Sequence, residues 1–197
     1  IRRKFVPLLP LLSAIDRGLA ERGRMILAIE GGSASGKTTL AALLAQIYDG
    51  AVFHADDFFL RPEQRTQARL AEPGGNLDRE RLLEEGLLPL TRGRPVTFRR
   101  YDCHTQTLLE PAAVPPKALN IVEGAYSMHP LLAEYYDLSV FLRISPELQR
   151  LRILRRNGPE GAERFFSTWI PLEQLYFDAL RPQDRCGLVL EAGTQCL

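Results

Sequence analysis

Apolar positions along the chain fall into two alternating patterns. Met25-Ile26-Leu27-Ala28-Ile29, Ala51-Val52-Phe53-His54-Ala55, Leu119-Asn120-Ile121-Val122, residues 138–144 and Gly187-Leu188-Val189-Leu190 are short, nearly unbroken runs, the length of buried parallel strands. Between them the apolar positions spread to helical spacing. Leu8, Leu11, Leu12, Ile15 and Leu19 make one stripe over residues 5–22, predicting an N-terminal helix packed on the sheet edge. Leu40, Leu43, Leu44 and Ile47 make a second stripe, at i, i+3, i+4 and i+7. Further helices are predicted from Asp78 to Leu90, from Pro146 to about Arg156, and over 163–180, where Trp169, Leu172, Leu175 and Tyr176 read mainly as core. Alternation of this kind predicts an α/β fold, a parallel sheet with helices on both faces. Residues 95–110 break the rhythm and predict a small β-hairpin or flap around Asp102-Cys103-His104. At 197 residues the chain predicts a single domain, 1–197.

The candidate chemistry starts where the first strand meets the second stripe. Gly31-Gly32-Ser33-Ala34-Ser35-Gly36-Lys37-Thr38-Thr39 satisfies G-x-x-x-x-G-K-[ST]. Its glycines let the backbone turn tightly and bring N–H groups to a phosphate. Lys37 supplies a point charge for the β- and γ-phosphates, and the Thr38 hydroxyl suits Mg²⁺. A strand before the loop and a helix after it are the context a phosphate cradle needs. The chain therefore reads as binding a nucleoside triphosphate.

Acids at other strand ends extend the site. Asp56 and Asp57 follow the second strand, where open α/β sheets place their chemistry. A carboxylate there can take a proton from an acceptor hydroxyl or hold a metal through water, while a helix cap is the bland alternative. Glu123 ends the third run, placed to orient Mg²⁺ through water. Residues 143–164 hold six Arg against three Glu, and Asn157-Gly158-Pro159 breaks their helix. Arginines near that break can close over phosphates as a lid, about 152–165.

Composition changes little. The chain is 45% hydrophobic and 25% charged with a net charge of +1, so nothing draws it to nucleic acid or a membrane. Cys103, Cys186 and Cys196 form neither a disulfide framework nor a zinc motif, and a reducing, cytoplasmic setting is expected. No apolar run reaches a membrane span, and Ile1 in place of Met suggests a trimmed start. A homo-oligomer stays open.

With these residues in view, the chain resembles the uridine kinase family of P-loop nucleoside kinases over residues 25–193. Its phosphate loop nearly repeats the family's, and His54-Ala55-Asp56-Asp57-Phe58-Phe59 is similar to the family's acidic-aromatic strand end. The resemblance implies a three-layer P-loop NTPase fold, with ATP and Mg²⁺ as cofactors and a small-molecule nucleoside as acceptor. It makes Asp56 the general base and Lys37 a catalytic cation. Asn76-Leu77-Asp78 resembles the segment whose Asp holds the ribose, and Tyr101-Asp102 the base-binding flap. Ile121-Val122-Glu123-Gly124 resembles the strand whose Glu assists Mg²⁺. Arg152 and Arg155 fall where the lid's paired arginines begin, and Arg164 near a later one.

The sequence departs from the family at Gln106, which stands where the flap's His is usual, at Arg79-Glu80, and at Gly161-Ala162-Glu163-Arg164. Gln106 can read the edge of uracil or cytosine, or face the carboxamide of nicotinamide riboside. The sister nicotinamide riboside kinases, suggested by the Asp-Asp-Phe-Phe run and by Trp169 with Pro171, are the alternative. A nucleotide-dependent switch is disfavoured because neither Lys4 nor Lys117 supplies Asn-Lys-x-Asp, and retention of Lys37, Asp56 and Glu123 disfavours an inactive binding module.

Overall fold

The structure, a computed structural model, describes residues 3–193; Ile1, Cys196 and the Lys4 side chain noted above lie outside the described residues. Its strands are β1 (Met25–Gly31), β2 (Ala51–His54), β3 (Val96–Asp102), β4 (Thr107–Val114), β5 (Leu119–Glu123), β6 (Leu138–Arg143) and β7 (Leu188–Glu191). Five of them form one parallel sheet in the order β2-β5-β1-β6-β7, while β3 and β4 pair antiparallel as the predicted hairpin. Central β1 is buried at all seven positions, which is why it reads as unbroken apolar sequence rather than as alternation. Register brings the strand ends level: Ile29 lies opposite Glu123, and Glu123 opposite His54.

The main helices are α1 (Leu9–Arg22), α2 (Lys37–Tyr48), α3 (Pro146–Arg164) and α4 (Ile170–Leu180). One layer buries Leu11 and Ile15 of α1 and Leu40 and Leu44 of α2 against Leu27 and Ile29 of β1. The opposite layer packs Phe53, Phe58, Leu82, Leu87, Phe98 and Tyr176 against Ile26 and Val122. Each such fully buried side chain contributes about 1.5–3 kcal/mol of hydrophobic stabilisation. This is the three-layer arrangement the alternating pattern predicts.

Details differ from the sequence reading. α1 packs on β1 and β6, central strands rather than the sheet edge. Its α-helical turns begin at Leu9, because Pro10 suits a first turn; residues 3–8, with Pro7, form a tighter 3₁₀ turn. Ile47 is exposed at the end of its stripe, and so is Leu175 on α4. The predicted break in α3 is present: Gly158 takes φ 70°, ψ 174°, and Pro159 follows. A π-helical turn, Phe165–Trp169, then leads into α4. Phe98 stacks on Phe58 with centroids 5.1 Å apart, anchoring the hairpin beside the carboxyl ends of the sheet.

Candidate active site

The phosphate loop follows β1 and opens α2. Gly31 has φ 145°, and a Cβ there would stand 2.5 Å from the Leu142 carbonyl oxygen of β6. Only glycine lets the loop leave the sheet so close to its neighbour. Gly36, at φ 102°, turns the chain into α2. The first N–H groups of α2 have no partner within the helix, and Gly36, Lys37, Thr38 and Thr39 all line the cleft, the setting an anion site requires. Lys37 is buried and donates to the carbonyls of Gly31 (2.8 Å) and Gly32 (2.9 Å).

Three side chains grip the tip of the loop. Glu173 of α4 accepts from the Ser33 amide (3.0 and 3.1 Å) and from its hydroxyl. Gln149 donates to the Ser33 carbonyl at 3.0 Å, and Arg152 to the carbonyls of Ala34 (3.0 Å) and Ser35 (3.3 Å). Arg152 also reaches the Gly193 carbonyl at 2.7 Å. Thr39, one residue past the motif, lines the cleft with Thr38.

At the level strand ends, Thr38 donates its hydroxyl to Glu123 at 2.9 Å and His54 donates Nδ1–H to the same carboxylate at 2.6 Å. That hydrogen bond raises the His54 pKa. Burial works to raise Glu123 as well, but the His54 bond and the Lys37 charge outweigh it and hold its carboxyl below the ordinary value. A hydroxyl and an ionised carboxylate side by side are the hard oxygen donors Mg²⁺ takes, so Thr38 and Glu123 fit that ion. Among the described residues no group of three His, Cys, Asp or Glu forms a metal cage. An ion here would complete its shell with phosphate and water.

The neighbouring acids Asp56 and Asp57 diverge. Asp57 is buried and pairs with Arg100 of the hairpin at 2.9 Å, while its carbonyl accepts from Arg81. Asp56 is solvent-accessible on the wall of the cleft and takes no hydrogen bond or ion pair among the described residues. The surrounding protein desolvates it and raises its pKa, and Glu123 adds to the rise while Lys37 opposes it.

The cleft encloses about 530 Å³ and runs from the phosphate loop past Asp56 to Phe59, Arg65, Asn76 and Gln106. Of the predicted acceptor residues, Asp56, Gln106 and Arg164 line it. Asp78 does not: it is buried, caps the following helix through the Arg81 amide (3.1 Å), and accepts from Gln64 (2.9 Å). Tyr101 is likewise buried outside the lining, its hydroxyl accepting from Arg65 at 2.9 Å. On α3, Arg155 points to solvent, and Arg156, four residues on from Arg152, shares its face and lines the cleft instead. Arg156 lies over Phe165 and Arg164 over Trp169, at 5.3 and 5.1 Å.

Sequence reasoning gave no role to His54, Glu173 or Glu30. His54 is detectable only once β2 and β5 are known to pair with their ends level. Glu30 carried a signal, a lone acid at the end of an otherwise apolar strand. It is fully buried, accepts from the Gly31 and Met128 amides and the Tyr176 hydroxyl, and burial pushes its pKa up to about 7.

Residues 26–164 match the family model described as Phosphoribulokinase / Uridine kinase family. A protein named uridine kinase from Chloroflexus aurantiacus is 30% identical over 168 residues, covering 80% of this chain and 78% of that one. Its Chloroflexus aggregans counterpart is 31% identical over the same spans. In structure, the chain is similar to a possible uridine kinase from Bacillus stearothermophilus, with a TM-score of 0.67 and 23% identity over 92% of this chain and all of that one. A candidate fructose transport system kinase from Silicibacter sp. TM1040 gives a TM-score of 0.72 at 23% identity, covering 92% and 98%. Both structures share the P-loop kinase fold found here.

Proposed function

The chain belongs to the phosphoribulokinase/uridine kinase family, and from that premise we propose that it moves the γ-phosphoryl group of ATP to the 5′-hydroxyl of a ribonucleoside, uridine or cytidine foremost. Asp56 carries this reading. It is the one acid of its pair left unbonded, and it lies between the phosphate loop and the acceptor half of one cleft.

Positioning and charge neutralisation dominate phosphoryl transfer, since little covalent chemistry falls to the protein. The loop amides and Lys37 hold the β- and γ-phosphates, Lys37 exchanging its contacts with the Gly31 and Gly32 carbonyls for phosphate oxygens. Thr38 and Glu123 would hold Mg²⁺, which neutralises charge across the β- and γ-phosphates. The acceptor oxygen attacks the γ-phosphorus, the bond to the β-phosphate oxygen breaks to release ADP, and Asp56 takes the hydroxyl proton. A raised pKa suits a carboxylate to that task, because a base nearer neutrality takes the proton with more driving force. Arg156 and Arg164, on either side of the Gly158 break, act as the lid over the phosphates, with Arg152 tying their helix to the loop.

An ADP-release assay with uridine, cytidine, 2′-deoxyuridine and nicotinamide riboside tests the reading. Release stimulated by uridine or cytidine is expected. Preference for nicotinamide riboside would move the chain to the sister specificity, and no stimulation by any of the four would overturn the nucleoside reading.

A further inference from the structure

Of the three side chains that hold the tip of the phosphate loop, one does so with the opposite polarity. Gln149 and Arg152 donate to loop carbonyls, contacts that leave the loop N–H groups free for phosphate. Glu173 accepts instead: both its oxygens take the Ser33 amide, at 3.0 and 3.1 Å, and one also takes the Ser33 hydroxyl. An anion on the amide and hydroxyl of a phosphate loop makes the contact that a phosphate oxygen makes. Glu173 lines the cleft together with Ser33, yet it is only 4% exposed. It takes part in no ion pair among the described residues, so this buried carboxylate has no cation of its own.

The first turn of α4, which carries Glu173, begins where helical hydrogen bonding is irregular. Phe165–Trp169 is a π-helical turn, and Pro171 just after it removes an amide donor. Three residues past Glu173, the Tyr176 hydroxyl donates to buried Glu30 of β1 at 3.0 Å and fixes the rest of α4. On the other side, the π-helical turn leads back to Arg164 and Arg156 of the lid. Burial raises the pKa of the Tyr126 phenol on the cleft wall, and the charges of Glu173, Glu30 and Asp56 add to the rise. Glu173 therefore shares the neighbourhood of the candidate base, where the γ-phosphate has to stand.

We propose that Glu173 is an internal stand-in for the γ-phosphate, holding the Ser33 donors until a nucleoside triphosphate displaces it and so releasing the first turn of α4 toward the lid. The inference rests on the triphosphate half of the reading above and is independent of the acceptor. Like charges side by side in a closed cleft repel, and two anions cannot both take the same amide and hydroxyl. Gln149 and Arg152 hold carbonyls, so they keep their contacts when phosphate arrives. A diphosphate lacks the competing group and binds with Glu173 in place. The carboxylate thereby couples the presence of the γ-phosphate to the lid, and it returns to Ser33 after transfer.

The test compares a triphosphate with a diphosphate. Binding of the non-hydrolysable ATP analogue AMP-PNP and of ADP, each with Mg²⁺, is measured by calorimetry for wild type, E173Q and E173A, with Tm recorded for each. E173Q keeps an acceptor for the Ser33 amide and removes the charge. Both variants should bind AMP-PNP about 10-fold more tightly than wild type does, with ADP affinity nearly unchanged, because only the γ-phosphate meets the carboxylate. A residue that merely braced the loop would give the opposite sign, weaker binding in E173A. A second measurement needs no variant: in wild type, AMP-PNP should speed amide hydrogen exchange over residues 165–173 relative to ADP. Weaker or unchanged AMP-PNP binding in the folded variants, equal shifts for both nucleotides, or identical exchange with the two nucleotides would overturn the assignment. A wild type that binds neither nucleotide overturns the triphosphate reading, and this inference falls with it.

Discussion

Replacing Glu30 by Gln should change how the stability of the protein depends on pH. Glu30 is the penultimate residue of β1, just before the phosphate loop, and is fully buried among Met128, Tyr176 and Ser127. Burial raises its pKa from 4.5 to about 7, because the hydrogen bonds it accepts do not make up for lost water. The folded state then holds a proton between pH 4.5 and 7 that the unfolded chain releases, so stability falls as pH rises through that window. At about 1.4 kcal/mol per pH unit, the gap corresponds to about 3 kcal/mol, fully present below pH 4.5 and gone above pH 7. His129 works the other way. Burial lowers its pKa from 6.5 to about 4, so the unfolded state binds the extra proton and stability rises with pH between those values. The total curve therefore hides both groups, and a difference is needed. Urea unfolding of wild type and E30Q from pH 4.5 to 8 supplies it, because His129 cancels. The stability of wild type relative to E30Q should drop by about 3 kcal/mol between pH 4.5 and 7.5. Parallel curves would refute the reasoning, and so would a difference that grows with pH.

K37A should lose most turnover with little change in Tm, since Lys37 meets charge that shifts in the transition state; an unchanged kcat would remove Lys37 from catalysis. D56N should cost about 10²- to 10⁴-fold in kcat, whereas D57N, whose parent pairs with Arg100, should cost far less; reversed effects would exchange the roles. Because the Asp56 pKa is raised, kcat/KM should fall on acidification with a midpoint above the ordinary 3.8, and protonated Asp56 is the inactive form. R156A should lower kcat more than R155A, because Arg156 lines the cleft and Arg155 does not. R152A should also weaken nucleotide binding through its grip on Ala34 and Ser35, and a larger effect of R155A would contradict the arrangement of α3.

The sequence alone determined what depends on near neighbours in the chain. Apolar runs and stripes announced the strands and helices because side-chain period follows backbone geometry. The phosphate loop was legible because its glycines, Lys37 and Thr38 act within nine residues, and the flanking strand and helix are part of the motif. The Gly158-Pro159 break was legible for the same local reason. Even the hairpin around Cys103 showed in the interruption of the pattern.

What remained hidden depends on residues far apart in the chain. Thr38, His54 and Glu123 meet because parallel register sets β2, β5 and the start of α2 level, and no local signal encodes that register. The opposite fates of Asp56 and Asp57 turn on Arg100, which arrives from the hairpin. Asp78 and Asn76 are two residues apart in one motif-like segment. Only the packing of Gln64 and Arg81 around Asp78 decides that its carboxylate stays out of the cleft that Asn76 lines. Composition and spacing fix which groups a chain possesses and which lie close along it. The desolvation and partner that give each group its chemistry come from tertiary contacts, and those decided which of these acids stayed free to act.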